Sequence, residues 1–225
     1  SQAPIGKVLP QNINAGTNGG TKLPIIYHNG PVMLGTINVY LVGIIRSFIR
    51  GIGGTTWFNI MKKHYQIDGT TKTFVTGPFI IPAEKDVGYT FEKKLNSTNI
   101  KDGLIELINN GDLDDDPNGI YLWLTSADVS ETDRQGKSFI HDHCGWHSYF
   151  SIDNTNYVYG FIGNPGSSTR NGCTVFNTNP PLSPNNDPGV DSMITVIAHE
   201  LAESLSDPNF NAWYDRKRDE NADKW

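Results

Sequence analysis

An α+β fold, built as a mixed sheet with one long helix near the C-terminus, is predicted by three observations. The order in which strand-like and helical segments follow one another argues for that class. Gly accounts for 23 residues of 225 and Pro for 13, so much of the chain is turn and loop. One segment, Met193 to Leu205, spaces Met193, Ile197, Leu201 and Leu205 four apart as the core face of a helix.

The elements follow in order. Residues 1–24 are rich in Gly, Asn, Thr and Pro and predict an extended arm on the surface, followed by a single domain over 25–225. Ile25 to Tyr27 and Val32 to Val42 carry the β-branched and aromatic residues of strands, whereas Ile44 to Ile52 and Thr56 to Tyr65 approach a helical period. Thr73 to Ile81 returns to strand composition. Asn99 to Asn109 predicts a helix with an apolar stripe of Ile100, Leu104, Leu107 and Ile108. After a turn at Asp116-Pro117-Asn118-Gly119, the apolar run Ile120 to Leu124 suits an interior strand. His147 to Ile152 and Tyr157 to Ile162 flank an Asp-Asn-Thr-Asn turn and predict a hairpin. The last helix is expected over Asp191 to Ser206, capped by Asp191 and stopped by Asp207-Pro208.

Charge and composition exclude several functions. The formal charge of −6, with no extended Lys/Arg run, disfavours nucleic-acid binding. No apolar run is long enough for a membrane span. The chain begins at Ser1 without a Met or an apolar leader, as a processed product would. Cys144 and Cys173 suit a disulfide stapling a loop, with two buried thiols as the alternative, and the sequon Asn96-Ser97-Thr98 fits a secreted glycoprotein.

The chemistry concentrates on the last helix. His199 and Glu203 stand one turn apart and lean the same way, so together they can grip an ion. Glu200 sits about 100° round the helix, able to reach a water beside that ion without joining its coordination. This is the logic of His-Glu-x-x-His zinc peptidases, with Glu203 replacing the second His. A carboxylate is an acceptable zinc ligand, although it makes calcium or manganese a better competitor. In the tail, Glu220 is a candidate third ligand and Asp223 a candidate acceptor orienting His199. An apolar helix would hold such carboxylates only at a cost, unless an ion or partners satisfied them.

Other polar groups have plainer readings. His141 and His143 would share a face on a strand, but an acidic loop beside a disulfide is preferred. His147 opens the hairpin and is a candidate donor to a developing oxyanion. Asp112 to Gly119 fails the EF-hand pattern, because Pro117 occupies the place of the Gly, and is expected to be a solvated turn.

The motifs Tyr27-His28-Asn29-Gly30-Pro31-Val32, Ile37-Asn38-Val39-Tyr40-Leu41, Leu124-Thr125-Ser126-Ala127-Asp128-Val129, Cys144-Gly145-Trp146-His147, Gly189-Val190-Asp191-Ser192-Met193 running into His199-Glu200-Leu201-Ala202-Glu203, and Asn211-Ala212-Trp213-Tyr214 resemble the phosphate-induced protein, or EXORDIUM-like, family. The likeness runs from about Ile25 to the end of the chain. It implies a secreted or cell-wall protein associated with growth. Members keeping His-Glu-x-x-Glu are similar to zinc-dependent peptidases in arrangement, whereas some plant members have lost it. The matching positions are His199, Glu200, Glu203, Glu220, Asp223 and His147. The passage from Leu41 to Ile45 is shorter than is usual in the family, and the acidic tail there continues through a Cys.

The leading expectation is therefore a secreted zinc metallopeptidase of zincin-like architecture, a monomer acting on a peptide or protein. His199, Glu203 and Glu220 would hold the ion, Glu200 would carry the proton, and His147 or Tyr214 would bond the oxyanion. The rivals are a non-catalytic extracellular protein with a structural calcium ion and, third, a carbohydrate-binding protein suggested by five Trp and nine Tyr.

Overall fold

The computed structural model describes residues 6–8, 23–43, 45–166, 172–174 and 183–224. In chain order its elements begin with β1 (Gly6–Val8), β2 (Ile26–Tyr27), β3 (Ile37–Val42), α1 (Arg46–Ile52), α2 (Thr56–Met61), β4 (Tyr65–Asp68) and β5 (Thr71–Phe74). They continue with β6 (Phe79–Ile80), β7 (Glu84–Lys85), β8 (Lys94–Asn96), α3 (Ser97–Asn109), β9 (Gly119–Leu124) and β10 (Ser130–Thr132). The hairpin β11 (Gly145–Ile152) and β12 (Thr155–Ile162) precedes α4 (Pro188–Ser206), β13 (Trp213–Tyr214) and a 3-10 turn at Ala222–Lys224.

The central sheet runs β1-β11-β12-β9-β3-β6, with β7 also paired to β3. Its interior is parallel: β12 with β9, β9 with β3, and β3 with both β6 and β7. At the other side β11 is antiparallel to both β12 and β1. All six residues of β9 are buried, which is why its sequence is a continuous apolar run without alternation. Asp153 and Asn154, at φ 48° and 67°, form the two-residue turn that joins β11 to β12.

Period-two alternation divides the core into two layers. Val39, Leu41, Ile120, Leu122, Val158 and Ile162 face α1, α2 and α4. Tyr40, Tyr121, Trp123, Trp146, Tyr159 and Phe161 face α3, whose stripe of Ile100, Leu104, Leu107 and Ile108 is buried as the spacing predicts. The sheet is mixed, as expected. Helices on both faces make mixed α/β the accurate description of the architecture.

Several local expectations are corrected. Val32 to Thr36 is not strand, because Gly35 at φ 69° turns the chain and the Met33 N–H donates to Leu205 O at the end of α4, 2.9 Å away. The helix expected to reach Tyr65 stops at Met61, and Tyr65 opens a hairpin turning at Gly69, φ 61°. The N-cap of α4 is Asp187, whose side chain accepts from the Val190 N–H at 3.1 Å. Asp191 lies in the first turn and accepts instead from the Asn185 N–H and the Ser183 hydroxyl. Within the arm, residues 6–8 add an edge strand to the central sheet. The acidic turn after α3 is not merely solvated. Asp114 and Asp116 accept from Tyr40, Asp116 from Asn38, and Asp115 from Tyr157, so the turn closes one end of the sheet.

No helix among the described residues is long and apolar enough to cross a membrane. Cys144 and Cys173 form a disulfide.

Candidate metal centre

The site is assembled by three segments: the first half of β11, the middle of α4 and the tail after β13. Along β11, residues 145, 147 and 149 point toward α4, opposite to Trp146 and Phe150 in the α3 layer. Gly145 allows the helix close, since a Cβ there would lie 2.5 Å from Val196 Cγ1 and 2.8 Å from Phe161 O. His147, next on that face, is completely buried against α4.

The expected core face of α4 is confirmed: Met193, Ile197, Leu201 and Leu205 are all buried. Glu200 and Glu203 are also fully buried, at 0% exposure, while the His199 side chain retains 16%. After α4, the Asp207 carboxylate accepts from the Asn211 and Ala212 N–H groups, each at 2.6 Å, and reverses the chain. Phe210, at φ 56° in that turn, stacks on the His147 ring with centroids 4.7 Å apart. The tail then returns to α4, where Asn221 Nδ2 donates to Ser206 Oγ at 2.8 Å and more weakly to Ala202 O.

Among the described residues two groups of potential ligand atoms result, His147/Glu200/Glu203 and His199/Glu203/Asp223, and within each the atoms lie within 4.8 Å of one another. In the inner group, His147 Nδ1 is 3.0 Å from Glu200 Oε2 and 3.4 Å from Glu203 Oε2. In the outer group, His199 Nε2 is 2.9 Å from Glu203 Oε1 and 3.6 Å from Asp223 Oδ1. The i,i+4 pairing of His199 with Glu203 is thus as the sequence suggested. The tail acids occupy other places than expected. Glu220 Oε1 lies 3.7 Å from His147 Nε2, behind the inner group, whereas Asp223 approaches the same His199 nitrogen that faces Glu203. Asp223 therefore stands where a third ligand would, and Glu220 stands where an acceptor orienting an imidazole would.

Many of these atoms lack a hydrogen-bond partner: His147 Nε2, His199 Nε2, Glu200 Oε1, both oxygens of Glu203, and Glu220 Oε1. The close approach of His199 to Glu203 is misaligned for a hydrogen bond. Buried carboxylates without partners are expensive, and a shared cation is the arrangement that satisfies them. The donor set of imidazole and carboxylate suits zinc, manganese or iron; calcium prefers a cage of oxygens. The residues present therefore fit a divalent transition metal.

Their electrostatics point the same way. Burial opposes charge on His147, but the Glu220, Glu200 and Glu203 carboxylates outweigh it and hold the imidazolium well above the usual range. For His199, burial is likewise overcome, by Asp223 and Glu203, to about 10. Burial raises Glu200, against the His147 hydrogen bond, and raises Glu220 far more. Glu203 is pulled down despite its burial, because both imidazoles face it.

Four of the sequence candidates have surroundings that the sequence did not show. Tyr214 stacks on His28 with centroids 3.7 Å apart, and the Arg218 guanidinium covers its ring at 4.3 Å, so its contacts lie outside the cluster. His147 Nδ1 faces Glu200 Oε2 at 3.0 Å and belongs to the inner group that could hold a metal. His141 and His143 do not share a face. The first is exposed, while His143 is buried and bonds Glu131 at 2.7 Å, with the Trp146 indole donating to the other Glu131 oxygen. The inner group is what sequence reasoning missed. Its sequence signals are the Cys144-Gly145-Trp146-His147 motif and, within it, Gly145 two residues before His147, small and large on one strand face.

A model of the phosphate-induced protein 1 conserved region matches residues 53–224. EXORDIUM-like 3 of Arabidopsis thaliana is 32% identical over 223 residues, covering 84% of this chain and 63% of that protein. EXORDIUM-like 5 of Arabidopsis thaliana is 28% identical over 221 residues, covering 84% and 59%. PHOSPHATE-INDUCED 1 of Nicotiana tabacum is 23% identical over 228 residues, covering 86% and 68%. The chain thus spans about six-tenths of the length of the first two relatives. No solved structure matches it.

Proposed function

Because the chain belongs to the phosphate-induced protein 1 family and folds a histidine–carboxylate cluster into its core, we propose that it is an extracellular metal-dependent hydrolase that cleaves peptide bonds. The observation that carries the reading is the outer group, in which His199, Glu203 and Asp223 converge at the rim of a cluster of unpartnered buried atoms. The disulfide fits an oxidising compartment. A zincin-like relation of helix to sheet edge belongs to the same proposal.

Zinc bound there would supply Lewis acidity toward a water and a peptide carbonyl. His199 Nε2, Glu203 Oε1 and Asp223 Oδ1 are its proposed ligands. Glu200 Oε1, which has no partner, is the atom proposed to hold a proton during the reaction, its other oxygen being held by His147. The apolar face of α4 excludes water from behind. The His199 and Asp223 side chains, 16% and 31% exposed, leave the front open to a substrate.

A second reading, a non-catalytic extracellular protein with a structural ion, is favoured by the complete burial of His147, Glu200 and Glu203. A peptide-library digest with and without chelator separates the two. Chelator-sensitive cleavage that Glu200→Gln abolishes, about 100-fold or more, with at least one ion per chain retained, is the expected result. Undiminished turnover in Glu200→Gln would remove its role, and unfolding on chelation without any cleavage would favour the structural ion.

A further inference from the structure

The cluster presents more ligand atoms than one ion can use. Resting on the metal-dependent reading above, we propose that it binds two divalent transition-metal ions at once, with the Glu203 carboxylate bridging them. The inner ion would take His147 Nδ1, Glu200 Oε2 and Glu203 Oε2, and the outer ion His199 Nε2, Glu203 Oε1 and Asp223 Oδ1.

The two oxygens of Glu203 address different imidazoles: Oε2 lies 3.4 Å from His147 Nδ1, and Oε1 lies 2.9 Å from His199 Nε2. Glu203 is the one residue common to both ligand groups, and the two imidazoles do not fall within a single group. An ion with ligands at about 2.0 to 2.2 Å cannot hold two atoms much more than about 4.4 Å apart, so one ion cannot serve both rings. Carboxylate-bridged pairs with ions about 3.5 to 4 Å apart are a recurrent hydrolytic arrangement.

Charge points the same way. Glu200, Glu203, Glu220 and Asp223, with the buried Asp207 acting on both His147 and Glu220, surround two imidazoles, and among the described residues no lysine or arginine forms an ion pair with the first four. Two divalent ions offset four of these five negative charges, whereas a single ion offsets two. The inner position is also built as ligand sites are built. Phe210 clamps the His147 ring by stacking, and Glu220 faces its far nitrogen, positioned to accept from it after a shift of about half an ångström. Bound through Oε2 alone, Glu200 keeps Oε1 free for the proton assigned to it above.

Manganese is the probe. The intact chain is dialysed against chelator, then titrated with Mn(II), and read by elemental analysis and electron paramagnetic resonance. Two ions per chain with an exchange-coupled spectrum are expected, and Asp223→Asn at the exposed rim should halve the stoichiometry and leave an uncoupled single-ion spectrum. Glu203→Gln should lose both ions, and Asp223→Asn keeps the test decisive if that buried variant fails to fold. Saturation at one ion per chain, or two ions without coupling, overturns the proposal. The same samples are assayed for peptide cleavage. Coupled ions without cleavage would uphold the pair and sink the peptidase, and cleavage with one ion would do the reverse.

Discussion

Gly145 decides whether α4 can reach β11. A methyl group at that position would meet Val196 Cγ1 at 2.5 Å and the Phe161 carbonyl at 2.8 Å, and the second of these is backbone that cannot turn aside. The same Cβ would lie 3.6 Å from Glu200 Oε1, beside the inner ligand group. Gly145→Ala should therefore cost about 1 to 3 kcal/mol, as overpacking does, and weaken metal binding as the helix is levered away from His147. Urea midpoints and a metal titration check both; unchanged affinity would mean that the helix does not depend on this approach. The contrast in legibility is physical. His199, Glu200 and Glu203 were visible because helical spacing is local and fixes which side chains share a face. Their partner His147 is 53 residues from Glu200, brought there only by docking helix on sheet, and no local period records that.

At the scale of elements, the strands that could be read were those long enough to carry a pattern. β9 and α3 stand out through a continuous apolar run and a helical stripe, whereas β7, β8 and β10 have two or three residues whose pairing is set by their neighbours. The acidic turn at Asp112 to Gly119 was legible as a turn but not as a lid, because its hydroxyl partners come from β3, β9 and β12. That layer gives the fold an alkaline limit. The Tyr157 hydroxyl donates to Asp115 Oδ1 at 2.6 Å, and this bond, with burial behind it, pushes the phenol from 10.0 up to about 12. A phenol raised in the folded state contributes its stability in full below pH 10 and loses it as the pH climbs through about 12. The urea midpoint should thus fall between pH 10 and pH 12, and Tyr157→Phe should flatten part of that fall while lowering the midpoint at pH 8. An equal alkaline fall in both proteins would assign it to other groups.

Across the whole molecule, the disulfide and the histidine–carboxylate cluster lie at different parts of one core. Cys144 immediately precedes the strand that carries His147, and its partner Cys173 lies between β12 and α4, closing a separation of 29 residues. Constraining a loop of that length in the unfolded chain is worth about 3 to 4 kcal/mol on the entropic model. For a chain of this size that corresponds to a shift of about 10 °C in the melting midpoint. The position of His147 has independent support, because β11 is paired on both sides, by β12 along its length and by β1 at Gly145 to His147. The double substitution Cys144→Ala, Cys173→Ala should therefore lower the melting midpoint by about 10 °C yet leave the number of ions bound per chain unchanged. Calorimetry and elemental analysis on the same preparation test the two halves together. A loss of ions in step with the loss of stability would show that the covalent link, and not the sheet, holds the imidazole in place for the metal.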